Sequence, residues 1–173
     1  MSGTLKFGPN RVVVEVRRAI RNLDGTPAVD PNGNIKYYPD VLILESKNLT
    51  TNAGLDAAKD RLFNPSTTQT IARYIALSSS THTPDTLDTT LDEEIVSGGL
   101  ERAAGAYNVT GCDIGEAIIE NTFTATATHE NVRLMALFDA SSSGDLYFEA
   151  TIALVTLNNG DQLIAKWDKI TLS

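Results

Sequence analysis

Residues 117–173 read AIIENTFTATATHENVRLMALFDASSSGDLYFEATIALVTLNNGDQLIAKWDKITLS. In residues 120–128, Phe123, Ala125 and Ala127 alternate with Thr122, Thr124, Thr126 and Thr128. Residues 131–138 form a more apolar run. Leu146, Phe148, Ala150, Ile152 and Leu154 then fall on one side of a third run, and Leu163, Ala165 and Trp167 mark a last one across residues 162–172. A period of two puts alternate side chains on opposite faces of a strand, the pattern of a half-buried antiparallel sheet. The breaks are turn chemistry: residues 141–145 are Ser-Ser-Ser-Gly-Asp, and residues 158–161 are Asn-Asn-Gly-Asp. An Asn-Gly pair suits the positive φ angles of a tight hairpin. The stretch therefore reads as a β-meander forming half of a sandwich, and it offers no catalytic group.

Working outward, the chain of 173 residues fits one domain with or without an arm. Its 42% hydrophobic content suffices for a core, and its net charge of −8 disfavours non-specific binding to nucleic acid or to an anionic membrane surface. Cys112 is the sole cysteine, so no intrachain disulfide and no thiolate metal cluster are expected. No apolar run approaches the ~18 residues of a spanning helix, and residues 1–6 lack the layout of a signal peptide. Cytoplasmic synthesis and assembly are the expectation. On that footing the two sequons at Asn48 and Asn108 are chance matches.

Residues 1–10 set Leu5 and Phe7 among Gly3, Gly8 and Pro9, as a frayed terminus or as an arm that docks on a neighbour. Val12, Val14 and Val16 begin a strand, with a helical second half left open over residues 17–22. Residues 26–34 are polar and rich in turn residues. Asp30, Asn32 and Asn34 resemble the start of a calcium loop, but the glycine is displaced and the distal Glu is missing, so a hairpin tip is expected. Residues 35–38 are the return strand of that tip, and Val41 to Leu44 form a further apolar strand.

Residues 48–64 predict the one helix. Thr51 or Asn52 caps it, Leu55, Ala58 and Leu62 share a face, and Pro65 ends it. A central strand is expected over residues 70–77, a long polar loop over 78–90, one helical turn over 91–96, and a strand over 100–109.

Two groups were weighed as chemistry. Asp85, Asp88, Asp92, Glu93 and Glu94 form an acidic run, which reads as a solvated face unless the fold makes the carboxylates converge. His82 and His129 lack any zinc-ligand spacing and read as surface histidines. No nucleophile motif or phosphate-cradling loop is present. The expectation is no enzyme, no catalytic residues, no cofactor and no metal.

Four segments together resemble small structural proteins of tailed bacteriophages. They are residues 48–55 (Asn48 to Leu55), residues 72–80 with Pro84 and residues 88–95, residues 132–141 (Val132 to Ser141), and residues 157–167 ending in Trp167. The departures are Ser78-Ser79-Ser80, where a Gly-rich turn is usual, and Arg133-Leu134-Met135-Ala136, where Glu and Gly are usual. Residues 1–47 have no counterpart.

The resemblance implies a non-enzymatic virion β-sandwich. Such a domain serves as a capsid decoration (cement) protein, often a homotrimer on the major capsid protein, or alternatively as a tail, neck or fibre component that binds a receptor or glycan through the 78–90 loop. Leu5 and Phe7 are then the expected partner contacts. A free sugar-binding module, using Tyr37, Tyr38 and Tyr107, is the third class. The expected fold is mainly β: an antiparallel, jelly-roll-like β-sandwich with one short α-helix near residues 52–63, as an arm over residues 1–10 and a single domain over 11–173.

Overall fold

The computed structural model describes residues 11–113 and 116–171. Two five-stranded antiparallel sheets face each other across one core. The strands are β1 (Arg11–Ala19), β2 (Tyr37–Lys47), β3 (Leu49–Thr50), β4 (Tyr74–Ser78), β5 (Ala103–Ala104), β6 (Ala106–Asn108), β7 (Glu116–Thr124), β8 (His129–Phe138), β9 (Leu146–Leu157) and β10 (Gln162–Thr171), with the helix α1 (Asn52–Phe63). The first sheet has the order β2-β1-β10-β7-β6 and the second β3-β9-β8-β4-β5. The predicted mainly-β sandwich with one short helix is the observed fold.

The period of two explains the core. Val12, Val14 and Val16 of β1, Phe123 of β7, and Leu163, Ala165 and Trp167 of β10 face inward from the first sheet. Ile75, Leu77, Met135, Leu137, Phe148, Ala150 and Ile152 meet them from the second. A smaller cluster lies on the outer side of the second sheet: Ala76, Leu134, Ala136, Phe138 and Leu146, covered by Leu91 of the long β4–β5 connection.

The C-terminal strands exist where the alternation puts them, but they do not form a meander. β7 pairs with β10, and β8 pairs with β9, so the four strands divide between the two sheets. The Ser-rich turn is a true hairpin, with Ser143 and Gly144 at positive φ. The Asn158–Asp161 turn is instead a corner between sheets. Gly160 has φ +87, Asn159 is absent from the positive-φ residues, and the Asp161 N–H returns to the Asn158 carbonyl at 2.9 Å. A positive φ at the third turn position alone is the type II pattern, which splays strands apart rather than matching the twist of a hairpin. The corner is closed by the Gly160 N–H to the Ala125 carbonyl and the Ala125 N–H to the Asp161 carbonyl.

The expected strand over residues 100–109 is likewise split. β5 joins the second sheet and β6 the first, with Gly105 between them. A Cβ there would lie 2.5 Å from Ile119 Cγ2, so the pivot needs the smallest residue. The predicted helical turn over 91–96 is absent: Glu93 sits at φ 49, and Ser78 bridges Glu94 as extended chain.

β1 and β2 form the expected hairpin, whose tip is stiffened by the bridges Arg21–Pro27 and Val29–Ile35. In that tip the Asp30 carboxylate accepts from the Asn32 and Asn34 N–H groups, which makes it a turn cap.

Thr51 caps α1 as predicted, accepting from the Gly54 N–H at 3.1 Å. The buried helix face differs from the predicted one. Gly54 and Ala57 are buried, while Leu55 and Leu62 are 44% and 52% exposed. The reason is close approach: a Cβ on Gly54 would stand 2.5 Å from the Tyr147 carbonyl oxygen, so the backbone of α1 rests directly on β9. Small residues, rather than the leucines, make that contact.

Candidate functional site

The connection between β4 and β5, residues 79–102, lies over the outer face of the second sheet. Its start is held by a chain of hydroxyl bonds. Ser78 Oγ donates to the Asp92 carbonyl, the Ser80 N–H donates to Ser78 Oγ, and the His82 N–H donates to Ser80 Oγ. Its middle reaches the helix, where the Asn52 N–H donates to the Thr86 carbonyl at 2.8 Å.

Its end is clamped by Arg102. That guanidinium stacks 3.6 Å above the Phe138 ring, meets both Glu94 carboxylate oxygens at 2.8 and 2.6 Å, and donates to the Ser143 carbonyl at 2.6 Å.

Under this loop lies Glu149. It pairs across the sheet with Ala136 and so shares the outer face, and it is completely buried. Among the described residues no donor reaches either of its carboxylate oxygens. The neighbouring polar groups come from the loop. His82 Nε2 is 2.8 Å from Asp88 Oδ2, and one ligand atom from each of His82, Asp88 and Glu149 lies within 4.8 Å of the others. Asp88 also accepts from the Asp85 N–H at 2.6 Å.

Burial first, and then the facing Asp88 carboxylate, push the Glu149 carboxyl up to about 7. The His82 imidazole is shifted upward by its bond to Asp88. Asp88 is shifted downward: burial alone would raise it, but His82 and the Asp85 N–H outweigh burial. Among the described residues these three side chains are the group of His, Asp and Glu whose ligand atoms lie close enough together that they could hold a metal ion.

Sequence reading found two of the three without joining them. Asp88 belongs to the acidic run, and the sequence around His82 carries the pattern of a surface histidine. Glu149 was absent from every candidate, because it occupies one position of an alternating strand. The available signal was a charged residue standing between Phe148 and Ala150 in an otherwise apolar run. The rest of the acidic run disperses: Glu94 binds Arg102, and Glu93 accepts from Ser79 Oγ at 3.2 Å. His129 bonds the Gly98 carbonyl at 3.0 Å, far along the chain from His82.

Two surfaces complete the inventory. An apolar groove of about 650 Å³ opens between α1 and the adjoining sheet edges, lined by Ala58, Leu62, Ile71, Tyr107, Ile119 and Ile170 among others. Among the described residues strand β2 has one partner, β1, and is exposed along nearly its whole length; Val41, Leu42 and Ile43 are 38%, 49% and 58% exposed. Opposite Val16, Leu42 lies on the inner side of the sheet, while Val41 and Ile43 lie on the outer side, so the free edge is apolar on both faces.

The tyrosines weighed for sugar binding do not converge. Tyr37 and Tyr38 belong to β2 and Tyr107 to β6, the opposite edges of the first sheet. Four strand spacings put about 19 Å between those edges. Leu5 and Phe7, the predicted partner contacts, lie outside the described residues.

The class these observations define is a two-sheet antiparallel sandwich with a histidine–carboxylate cluster under one long loop. Compared with protein-family models, curated proteins and solved structures, the chain matches none. No helix among the described residues is long and apolar enough to cross a membrane.

Proposed function

We propose that this chain is a structural protein of a tailed-bacteriophage virion, a capsid decoration protein that binds the outside of the assembled shell through its surfaces. The observation that carries the reading is the free β2 edge. An eleven-residue strand with Val41, Leu42 and Ile43 exposed is a template for another chain, and an isolated monomer would expose it at the risk of aggregation. Covering it in an assembly removes that risk, and binding only the assembled shell stabilises that shell by mass action. The phage setting rests on the four-segment resemblance, and the homotrimer and the major capsid protein as partner are parts of the same proposal.

The tail, neck or fibre reading gives the 78–90 loop a receptor. That loop uses Ser78, Ser80 and Asp88 in bonds within the domain, which favours the shell reading.

The arm fits the same picture. β1 begins at Arg11, opposite Asp168, close in register to Ile170 at the groove. Ten residues extend to at most about 35 Å. In this proposal Leu5 and Phe7 are the contacts that an arm over residues 1–10 makes with a neighbouring subunit or with the capsid. Deleting residues 1–10 is expected to leave the unfolding free energy measured in urea within about 0.5 kcal/mol of the full chain and to reduce occupancy on purified capsids. Unchanged occupancy would remove the arm from the interface.

The deciding measurement is the copy number of the chain in purified particles of the virus that encodes it. Hundreds per particle are expected for a shell protein. A handful would move the chain to the tail, and absence from particles would overturn the proposal.

A further inference from the structure

We propose that His82, Asp88 and Glu149 form a binding site for one divalent transition-metal ion, with Zn²⁺ as the best fit, which ties the 79–102 loop to strand β9. This inference is independent of the particle assignment. It begins with Glu149. A carboxylate with no exposure and, among the described residues, no donor on either oxygen is costly to ionise. Native structures satisfy such groups with a partner, a proton or an ion.

The chemistry around Glu149 selects among these. The nearest loop groups are Asp88, itself an acceptor, and His82, whose Nε2 lies 2.8 Å from Asp88. A carboxylate aimed at another carboxylate is held either by a shared proton or by a cation between them, and the adjoining imidazole favours the cation. The imidazole supplies the neutral nitrogen ligand that completes a three-ligand set. The spread of up to 4.8 Å among the three ligand atoms suits bonds of about 2.0–2.2 Å to a shared centre after small side-chain rotations.

The donor types set the metal class. Imidazole nitrogen with two carboxylate oxygens suits Zn²⁺ and its first-row neighbours, whereas Ca²⁺ and Mg²⁺ take oxygen ligands. Three protein ligands leave a fourth position for water.

The topology gives the ion a mechanical role. Two ligands come from a loop of irregular structure and the third from the centre of a sheet strand. His82 is 34% exposed and Asp88 18%, so the ion has an entry path from solvent while Glu149 closes the floor. In a chain whose single cysteine excludes an internal disulfide, such a clip restrains the loop by joining positions 61 and 67 residues apart in sequence (149 − 88 and 149 − 82).

The test uses the full chain, stripped with a chelator and then titrated with ZnCl₂ by calorimetry, with thermal unfolding followed in parallel. One Zn²⁺ per chain is expected. At about 100-fold excess over the dissociation constant the unfolding midpoint should rise by about 5–10 °C. Ca²⁺ at the same concentration should leave it unmoved.

Glu149→Gln keeps the shape of the protonated carboxyl and is expected to fold, with Zn²⁺ affinity reduced at least tenfold. His82→Gln changes a partly exposed side chain, so its fold is not at risk, and it should show the same loss. Absence of Zn²⁺ uptake by the native chain overturns the proposal, and so does undiminished uptake by His82→Gln. A shift with Ca²⁺ and none with Zn²⁺ overturns the metal class.

Discussion

Asp161→Ala is expected to destabilise the domain by about 3–5 kcal/mol, read as a fall in the urea midpoint at pH 7. The Asp161 side chain is 1% exposed and sits at the corner where the chain passes from β9 to β10. It accepts four hydrogen bonds: from Arg18 Nη1 and Arg21 Nη2, each at 2.9 Å, from the Ala19 N–H at 2.9 Å, and from the Asn158 N–H at 3.0 Å. Arg18 also reaches the Thr156 carbonyl, and Arg21 the Asn159 carbonyl at 2.8 Å, so one carboxylate fastens the end of β1 to the corner. Alanine would leave two guanidinium groups without their counter-charge and two N–H groups without an acceptor.

The same site gives a pH dependence. Burial alone would raise the Asp161 carboxyl, but the Asn158 and Ala19 N–H groups and the Arg18 guanidinium outweigh it and hold it below the ordinary aspartate value of 3.8. A carboxyl with a depressed folded value binds its proton less readily in the native state than in the unfolded one. Its contribution is therefore complete above the unfolded value and lost as pH falls through the folded one. Denaturation curves from pH 7 downward should show native stability declining below about pH 4, with a smaller decline in Asp161→Ala. A cost under 1 kcal/mol at pH 7 would falsify the hub assignment.

Trp167→Ala is expected to cost about 3–5 kcal/mol as well, for a different reason. Trp167 has no exposure and is among the largest fully buried side chains in the sandwich. Across the first sheet it stands opposite Val12 of β1 and Ile119 of β7, at the centre of the inner face. Its truncation removes the residue on which both sheets close and leaves a cavity that the strands cannot fill without shifting register. Trp167→Phe separates packing from polarity. The indole Nε1–H has no acceptor among the described residues, so phenylalanine removes an unpaired donor together with part of the ring. The phenylalanine variant should lose at most about half as much as the alanine variant. Equal losses in the two would show that the indole is held by a bond rather than by its volume.

How far the candidate site was legible follows from the same distinction between local pattern and contact. The acidic run and His82 were visible, and their separation along the loop gave no reason to join them. A loop has no fixed period, so spacing says nothing about which side chains turn inward. Glu149 was harder still. Its charge sits on the face of β9 that is normally solvated in a two-layer sandwich, so the sequence offers no reason to expect it buried. Only the loop folding over that face, with Leu91 packing on Ala136 and Leu146, takes Glu149 out of water. The helix teaches the same lesson: its apolar spacing suggested Leu55 and Leu62, while the close seat on β9 selected Gly54 and Ala57.

What the sequence alone determined is the material of the fold. Alternation over residues 120–171, the β-branched run in β1, the Thr51 cap and the Pro65 stop set the strands and the helix, because these depend on neighbours within a few residues. The facing of β9 does not follow its alternation: Phe148, Ala150 and Ile152 enter the core, but Leu146 joins the outer cluster and Leu154 is 58% exposed, because the pairing with β8 shifts register at both ends. Tertiary structure decided which strand pairs with which. Residues 117–173 read as a continuous meander, yet they contribute two strands to each sheet, since an alternating strand is equally satisfied by any partner that buries its apolar face. The corner at Gly160, held by Asp161 with Arg18 of β1 and Arg21 just beyond it, sends β10 to the opposite sheet. Those bonds join residues some 140 positions apart, a separation at which no local pattern carries information.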